Sequence, residues 1–283
     1  MDKQELVEHA RQIRKHILKQ VYTAQSGHPG GSLSATDLVT ALYFQEMDIT
    51  EANVNSIDRD RFVLSKGHAS PLLYAVLCEK GLLDERELLT FRKINSRLQG
   101  HPNMKYVAGV DMSTGSLGQG ISAAVGMALG NKLAQNHHRV YALLGDGECQ
   151  EGEVWEAAMA AAQYQLDNLC VIVDHNRLQI DGEVAKVMNV DSLEEKFKAF
   201  HFHVLTVDGH AMDEILSALS KARENKGRPT AIIANTVKGK GVSFMENQAG
   251  WHGTAPNKEQ YEQAIKELGC LLYTSPSPRD MRR

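Results

Sequence analysis

Two apolar segments of the chain are each followed by side chains that carry oxygen donors. Gly145-Asp146-Gly147-Glu148 follows the run VYALL, and Asn176 follows the run LCVIVDH. Ligands of a doubly wound α/β sheet bind at the carboxyl ends of its parallel strands, so these positions are candidate ligands. A carboxylate and an amide oxygen suit a hard cation such as Mg²⁺, and the backbone carbonyl of Leu178 can supply a third protein oxygen.

The spacing of the two segments strengthens this interpretation. A G-D-G sequence alone is often only a turn, but here 28 residues separate it from Asn176. One helix and one strand have that length, and they bring consecutive strand ends side by side. Gly147 has no Cβ where a phosphate would approach the backbone, and the next helix presents its positive end there. The pattern predicts a divalent cation bound together with a phosphate-bearing ligand.

The elements that must position these residues alternate along the second half of the chain. Strands that are continuously apolar and separated by helices indicate a doubly wound, mainly parallel α/β sheet with helices on both faces. In the first half, Ser26–Gly31 is predicted to be a Gly-rich break between two helices, the second around residues 35–44. The predicted strands are residues 140–144, 169–173, 204–207 and 230–237, with a short apolar run at 62–64.

Composition excludes several classes of function. The 283 residues are 42% apolar, carry a net charge of −4, and contain no Lys/Arg run longer than two residues. Neither nucleic acid nor a membrane is therefore an expected partner. No secretory signal and no apolar run of about 20 residues is present. Four scattered cysteines suggest reduced thiols, so a cytoplasmic location is expected.

A single domain is predicted over residues 1–269. The segment 261–268 has a helical pattern that Gly269 is expected to cap, and the sequence CLLYTSPSPRDMRR that follows has no periodicity. Residues 270–283 are therefore interpreted as a disordered or non-native tail, and they carry no functional argument.

Several longer motifs identify a family. In chain order they resemble the N-terminal, thiamine-diphosphate-binding domain of transketolase, over about residues 5 to 268. The motifs are SGHPGGSLSATDL, LSKGHASPLLYAVL, LQGHP, STGSLGQGISAAVGMALG, GDGECQEGEVWEAAMAAA, VDHNRLQIDG and KGKGVSFMENQAGWHG.

The resemblance implies specific roles at the matching positions. It implies that thiamine diphosphate is the cofactor and Mg²⁺ (or Ca²⁺ or Mn²⁺) the metal, held by Asp146, Asn176 and the Leu178 carbonyl. The other cofactor contacts that it implies are His68, Gly147 and His252 for the diphosphate, Gly115 and Leu117 for the aminopyrimidine side, and Glu148 as a further cofactor-binding residue.

The resemblance also implies a set of catalytic histidines. His28 and His101, each in a G-H-P sequence, resemble the residues that contact the hydroxyls of the donor sugar, and His252 joins them. An imidazole can donate to an anion or exchange protons near neutral pH, so several around one carbonyl substrate can move protons.

One required group is not found in the sequence. In transketolases a glutamate on a second, pyrimidine-binding domain activates the cofactor, and most of the arginines that bind the sugar phosphate come from the same domain. The resemblance therefore implies one chain of a split transketolase, active only with a C-terminal partner subunit, in an α₂β₂ assembly. The implied reaction is transfer of a two-carbon ketol unit from a ketose phosphate to an aldose acceptor, and neither the sugars nor the pathway is specified.

Alternative interpretations remain open at this stage. The α subunit of a 2-oxoacid dehydrogenase and a fragment of a deoxyxylulose-phosphate synthase share the G-D-G…N pattern, and a non-catalytic cofactor-binding subunit is a third possibility. The G-x-x-G-x-G at residues 115–120 could suggest a dinucleotide site, but it follows a loop rather than a strand. His201 and His203 have the spacing of a metal pair on a strand, but no third ligand is evident, so they are not predicted to bind metal.

Overall fold

The parallel sheet is the element that positions the candidate site. A computed structural model describes residues 1–270. Its main sheet has five parallel strands in the order β1-β2-β3-β7-β6, and β4 and β5 form a small antiparallel hairpin. The strands are β1 (Arg61–Leu64), β2 (Val140–Gly145), β3 (Leu169–His175), β4 (Leu178–Gln179), β5 (Gly182–Glu183), β6 (His203–Asp208) and β7 (Thr230–Asn235).

Helices cover both faces of this sheet, which confirms the predicted fold class. Short 3₁₀ or π turns occur at Leu42–Glu46, Gly67–Ala69, Glu85–Thr90, Gly147–Gln150 and Ala249–Trp251. The α-helices are α1 (Lys3–Ala24), α2 (Pro29–Ser34), α3 (Thr36–Ala41), α4 (Ser70–Glu79), α5 (Gln119–Leu133), α6 (Gly152–Gln163), α7 (Val184–Val187), α8 (Leu193–Ala199), α9 (Met212–Glu224) and α10 (Lys258–Cys270).

The core has two parts because side chains alternate across each strand. Tyr141 and Leu143 of β2 face the cluster that contains α1, α3, α4 and α9. Ala142 and Leu144 face the opposite cluster, which contains α5, α6 and α8. Since successive strand residues point to opposite faces, a continuously apolar strand is what a sheet covered on both sides requires.

Some predicted boundaries were wrong at the N-terminal side. The Gly-rich segment predicted as a break becomes helical at Pro29, where proline suits the first turn of a helix. Gly30 packs against a distant segment, since a Cβ there would lie 2.8 Å from the carbonyl oxygen of Trp251. The single helix predicted at 35–44 is observed as two elements, α3 and the π turn that begins at Leu42. Tertiary contact therefore makes a helix from residues whose own preference for helix is low.

At the C-terminal side the strand predictions were correct to within two residues. The strand predicted at 230–237 ends at Asn235, and Gly269, predicted as a cap, lies inside α10. Residues 271–283 of the predicted tail lie outside the described part of the chain. Within residues 1–270, no helix has both the length and the apolar character needed to cross a membrane.

Candidate functional site

A cavity of about 180 Å³ lies at the carboxyl ends of β2 and β3. Its position agrees with the general rule for ligand sites in open parallel sheets. Most of the residues predicted from the sequence line it, although they come from segments far apart in the chain. These residues are His68, Leu117, Asp146, Gly147, Glu148, Asn176, Leu178 and His252.

The three predicted metal ligands lie together at this cavity. Gly145 of β2 pairs with Asp174 of β3, so the two strand ends are adjacent. The carboxylate of Asp146 accepts a hydrogen bond from the N–H of Arg177, the residue directly after Asn176. Asn176 Oδ1 accepts from the N–H of Leu178 at 3.1 Å. Asp146 and Asn176 therefore lie next to each other at the carboxyl ends of two paired strands.

The charge environment of Asp146 also fits a cation. The side chain is buried, with 2% exposure. Burial, together with the neighbouring charge of Asp174, raises the pKa of Asp146 to about 6. A buried carboxylate beside a second carboxylate is stabilised in its ionised form by a nearby positive charge. One carboxylate, one amide oxygen and one carbonyl form a donor set of the kind that Mg²⁺ uses when phosphate and water complete its shell.

Asp174 is part of the support for the metal ligands. It accepts hydrogen bonds from Lys66 Nζ at 2.5 Å and from Asn176 Nδ2 at 3.0 Å. Burial opposes its ionisation, but the charge of Lys66 and several hydrogen bonds outweigh burial and lower its pKa. The hydrogen bond from the amide nitrogen of Asn176 to Asp174, together with that from the N–H of Leu178 to Oδ1, fixes the orientation of the Asn176 amide.

Two buried lysines of the cavity were not predicted as site residues. Lys66 Nζ donates to the Gly31 carbonyl at 2.7 Å as well as to Asp174, and Lys238 Nζ donates to the Leu178 carbonyl at 2.7 Å. Burial, then the charge of Lys66, lowers the pKa of Lys238 to about 8. Lys66 lies in the motif LSKGH and Lys238 in the motif KGKG, and these motifs were the sequence signal that could have identified the two lysines as site residues. Two buried lysines give the cavity positive charge, which suits the predicted phosphate-bearing ligand.

Three of the predicted histidines form a cluster beside the lysines. The ring centroids of His28, His68 and His252 are 5.2 to 5.5 Å apart. Burial lowers the pKa of His28 to about 4 and that of His252 to about 3, with positive neighbours adding to the effect. Lys238 Nζ lies 2.9 Å from Nδ1 of His252. These imidazoles are therefore neutral at pH 7 and can both donate and accept hydrogen bonds.

His28 has a buried polar atom without a protein partner. Its Nδ1 makes no hydrogen bond to any part of residues 1–270. A buried nitrogen left unpaired is costly, so this atom is a candidate for a ligand contact. His28 itself does not line the cavity but lies beside His68 and His252, which do.

His101 and Gly115 lie together on the other side of this histidine cluster. A Cβ at position 115 would be 3.1 Å from ring carbons of His101. The same loop packs on the turn that carries His68, since a Cβ at Gly67 would be 2.7 Å from the backbone carbon of Thr114. The aminopyrimidine loop predicted from the sequence is therefore held against the histidines by close backbone contact.

Glu148 has a different environment from the other predicted cofactor contacts. One carboxylate oxygen accepts from Ser65 Oγ at 2.5 Å and from the N–H of Gly118 at 3.0 Å, and the other accepts from the N–H of Gly145 at 3.0 Å. Burial raises its pKa. Both oxygens are thus used to join the ends of β1 and β2 to the loop before α5, and direct contact with the cofactor stays a prediction.

The remaining histidine pair is separate from this cavity. His201 and His203 lie at the opposite end of the sheet, where β6 begins. Within the described part of the chain, no group of three His, Cys, Asp or Glu side chains is arranged to hold a metal ion. The Asp146 site uses only one side chain of those types, so it does not depend on such a group.

Comparison with known protein families gives one match over nearly the whole chain. The family model described as "Transketolase, thiamine diphosphate binding domain" matches residues 4–276. The chain is 43% identical over 264 residues to the 6-deoxy-6-sulfo-D-fructose transketolase subunit SqwG of Clostridium sp. (strain MSTE9), covering 93% of this chain and 96% of that protein. It is 42% identical to one of the subunits of apulose-4-phosphate transketolase from Phocaeicola vulgatus, covering 90% of both.

Full-length proteins match over only part of their length. Human transketolase is 44% identical over 94% of this chain, but the match covers 42% of the human protein. The crystal structure of transketolase from Campylobacter jejuni superposes with a TM-score of 0.90 at 36% identity, covering 95% of this chain and 43% of that one. The chain therefore spans about two fifths of these proteins and nearly all of the two shorter relatives.

Proposed function

The chain belongs to the transketolase family, as its N-terminal thiamine-diphosphate-binding domain, and on this basis we propose that it is the cofactor-binding subunit of a two-chain transketolase. The proposed reaction transfers a two-carbon ketol unit from a ketose carrying an anionic group to an aldose acceptor. The observation that carries the proposal is the joint position of Asp146, Asn176 and the Leu178 carbonyl at one cavity.

In this proposal the chain holds the cofactor through a metal. Asp146, Asn176 and the Leu178 carbonyl supply three oxygens to Mg²⁺, or to Ca²⁺ or Mn²⁺ in its place. His68, His252 and the N–H groups around Gly147 supply donors for a diphosphate. Lys66 and Lys238 line the same cavity, and their charge favours an anionic ligand at this point. The donor set and the charge of the cavity both fit the predicted group.

The proposed catalytic residues act on the sugar. When bound, thiamine diphosphate supplies the nucleophilic carbon that reacts with the substrate carbonyl. His28, His101 and His252 are the proposed catalytic residues that orient the sugar hydroxyls, because burial keeps these imidazoles neutral and able both to donate and to accept hydrogen bonds. The unpaired Nδ1 of His28 supports a ligand contact for that residue.

A partner chain is part of the proposal. The activating glutamate of the family belongs to the pyrimidine-binding domain, which the matched part of human transketolase does not include. Two relatives of similar length are named as transketolase subunits. Their names support a C-terminal partner subunit for this chain, which we place in an α₂β₂ assembly. We also propose a cytoplasmic role in carbohydrate metabolism, with the pentose phosphate pathway as the first assignment to test.

Ketol transfer measured with and without the partner tests this function. We expect the chain mixed with a partner that carries the pyrimidine-binding domain, Mg²⁺ and thiamine diphosphate to convert xylulose 5-phosphate and ribose 5-phosphate. The chain alone is expected to show no turnover, because the activating carboxylic acid is supplied in trans.

The outcomes of that assay separate the alternatives. Turnover by the purified single chain would refute the requirement for a partner. Activity of the mixture with a 2-oxoacid and not with a ketose phosphate would move the protein to another class of thiamine enzyme. The mass of the active mixture in light scattering tests the two-plus-two stoichiometry.

A further inference from the structure

Arg92 is an exposed arginine whose guanidinium is held in one place. Its backbone is in the left-handed region with a φ of 59°, and its N–H donates to the Leu98 carbonyl at 2.9 Å. The guanidinium packs on Gly100, where a Cβ would lie 2.6 Å from Cζ of the arginine. It also lies 5.6 Å from the ring centroid of Phe91. A side chain fixed by backbone, glycine and aromatic contacts loses little entropy when it binds a ligand.

The donors of Arg92 are mostly unused by the protein. Across residues 1–270, its guanidinium forms no ion pair, and its side chain makes one hydrogen bond, from Nη1 to Ser26 Oγ at 3.3 Å. Arg97, five residues later, shows the contrast, because Nε and Nη2 each donate to a carboxylate oxygen of Glu87 at 2.6 Å. Arg92 therefore keeps a charged, planar donor group available to a ligand.

Arg92 lies beside the two segments that carry the proposed catalytic residues His28 and His101. Its hydrogen-bond partner Ser26 is two residues before His28, and its packing partner Gly100 directly precedes His101. Burial first, and then the positive charge of Arg92, lowers the pKa of both histidines. Arg92, Gln99 and Gly100 line an open surface groove of about 650 Å³, which is large enough for the anionic end of a sugar.

We propose that Arg92 is a specificity-determining residue that binds the anionic end group of the sugar substrate, a phosphate or a sulfonate. The inference rests on the proposed function and deepens it. A guanidinium forms paired hydrogen bonds with tetrahedral oxyanions, and it stays charged at any working pH. The family resemblance implied that the arginines binding the substrate anion come largely from the partner chain, whereas this geometry gives one of them to the present chain.

The test compares anionic and neutral substrates in the assembled two-chain enzyme. Arg92→Gln is compared with Lys226→Gln, which removes an exposed positive charge at the opposite end of the sheet. The measured quantity is the ratio of kcat/KM for erythrose 4-phosphate to kcat/KM for erythrose. We expect Arg92→Gln to lower this ratio about 10- to 100-fold, the usual effect of losing hydrogen bonds to a charged group, and Arg92→Lys to lower it less. Lys226→Gln is expected to change the ratio by less than about threefold, as for a surface charge.

A second readout measures anion binding without turnover. Inorganic phosphate and inorganic sulfate are used separately as competitive inhibitors, and Arg92→Gln is expected to raise the inhibition constant of each. A rise for only one of them identifies which end group the site selects.

Three results would overturn the inference, and each differs from failure of the proposed function. The first is an equal loss of activity with erythrose 4-phosphate and erythrose in Arg92→Gln, and the second is the same fall of the ratio in Lys226→Gln. The third is a parallel loss of thiamine diphosphate affinity in Arg92→Gln. Each would show that Arg92 does not select the anionic group. If the unmodified enzyme transfers no ketol unit to either acceptor, the proposed function itself fails.

Discussion

At the scale of single residues, the site depends on charges that the fold holds away from water. Asp146 and Asp174 are both buried at the ends of neighbouring strands, and only one of them has a lysine beside it. The charge of Lys66 lowers the pKa of Asp174, whereas burial and the charge of Asp174 raise the pKa of Asp146. A bound cation, as we propose, would supply the charge that stabilises ionised Asp146. The two aspartates thus have different roles although they lie close together.

Replacing Asp146 tests its role directly. Asp146→Ala removes the anionic ligand of a small oxygen shell, so Mg²⁺-dependent binding of thiamine diphosphate is expected to weaken by more than about 100-fold. Changes to residues that only support the ligands of a metal already cost roughly 10- to 100-fold. Calorimetry with the partner present measures this, and Asp181→Ala, an exposed aspartate of the neighbouring hairpin, is the control. Equal affinities in both variants would remove Asp146 from the metal site.

The buried histidines predict a loss of stability in acid. The pKa of His28 is about 4 in the folded chain, below the usual 6.5, so below pH 6.5 the unfolded chain takes up a proton that the folded chain does not. Unfolding is therefore favoured as the pH falls from 6.5 to about 4, and His28 contributes nothing to this dependence above pH 6.5.

Urea denaturation at pH 7.5 and pH 4.5 measures this contribution. Between pH 7.5 and pH 4.5, the free energy of unfolding is expected to fall by roughly 1 kcal/mol more in the unmodified chain than in His28→Gln. This value is reduced to allow for the partial solvent exposure of His28. His137→Gln, in an exposed loop, is the control and should behave like the unmodified chain. Identical pH dependences in all three would show that His28 is not protected from protonation.

At the scale of elements, α5 shows how close packing builds the cofactor loop. Its first turn lies on the end of β1, and a Cβ at Gly120 would be 2.5 Å from Ser65 Oγ and 2.6 Å from Ser65 Cα. Ser65 in turn donates to Glu148. Only glycine at position 120 lets the start of α5 lie this close to Ser65. That contact also places the loop that carries Leu117.

Two alanine substitutions within α5 separate packing from helix propensity. Gly120→Ala is expected to lower the free energy of unfolding by about 1 to 3 kcal/mol, the cost of overpacking. Gly126→Ala, where no atom lies within 4 Å of the new Cβ, is expected to raise it by up to about 1 kcal/mol because alanine favours helix. Urea denaturation of the chain measures both. If the two variants were equally stable, the contact between α5 and Ser65 would not be tight.

The elements also show which kind of prediction succeeds. The strand from Val140 was predicted to within one residue, because a buried parallel strand is apolar throughout and ends at a glycine. Helix α2 was not predicted, because its glycines do not favour helix and its packing partner at Trp251 is more than two hundred residues away. Local pattern decides the first case and a distant contact decides the second.

At the scale of the whole molecule, the order of the strands brings Asp146, Asn176 and Lys238 to the same cavity. β3 lies between β2 and β7, so the loop after β7 that carries Lys238 reaches the ends of the two strands that carry Asp146 and Asn176. The segments with His28, His68 and His252 approach the same point from the first and last parts of the chain. The partner that we propose would complete this surface with the groups that activate the cofactor.

The sequence by itself determined the α/β class, the positions of the central strands, and the placement of Asp146 and Asn176 at adjacent strand ends. Each of these follows from periodicity and connection length, which act over a few tens of residues. Only the tertiary structure decided that Lys66 and Lys238 line the cavity, that Glu148 joins two strand ends to a loop, and that Arg92 stands beside His28 and His101. Those relations join segments far apart in the chain, and the direction of a long side chain depends on which distant backbone packs against it.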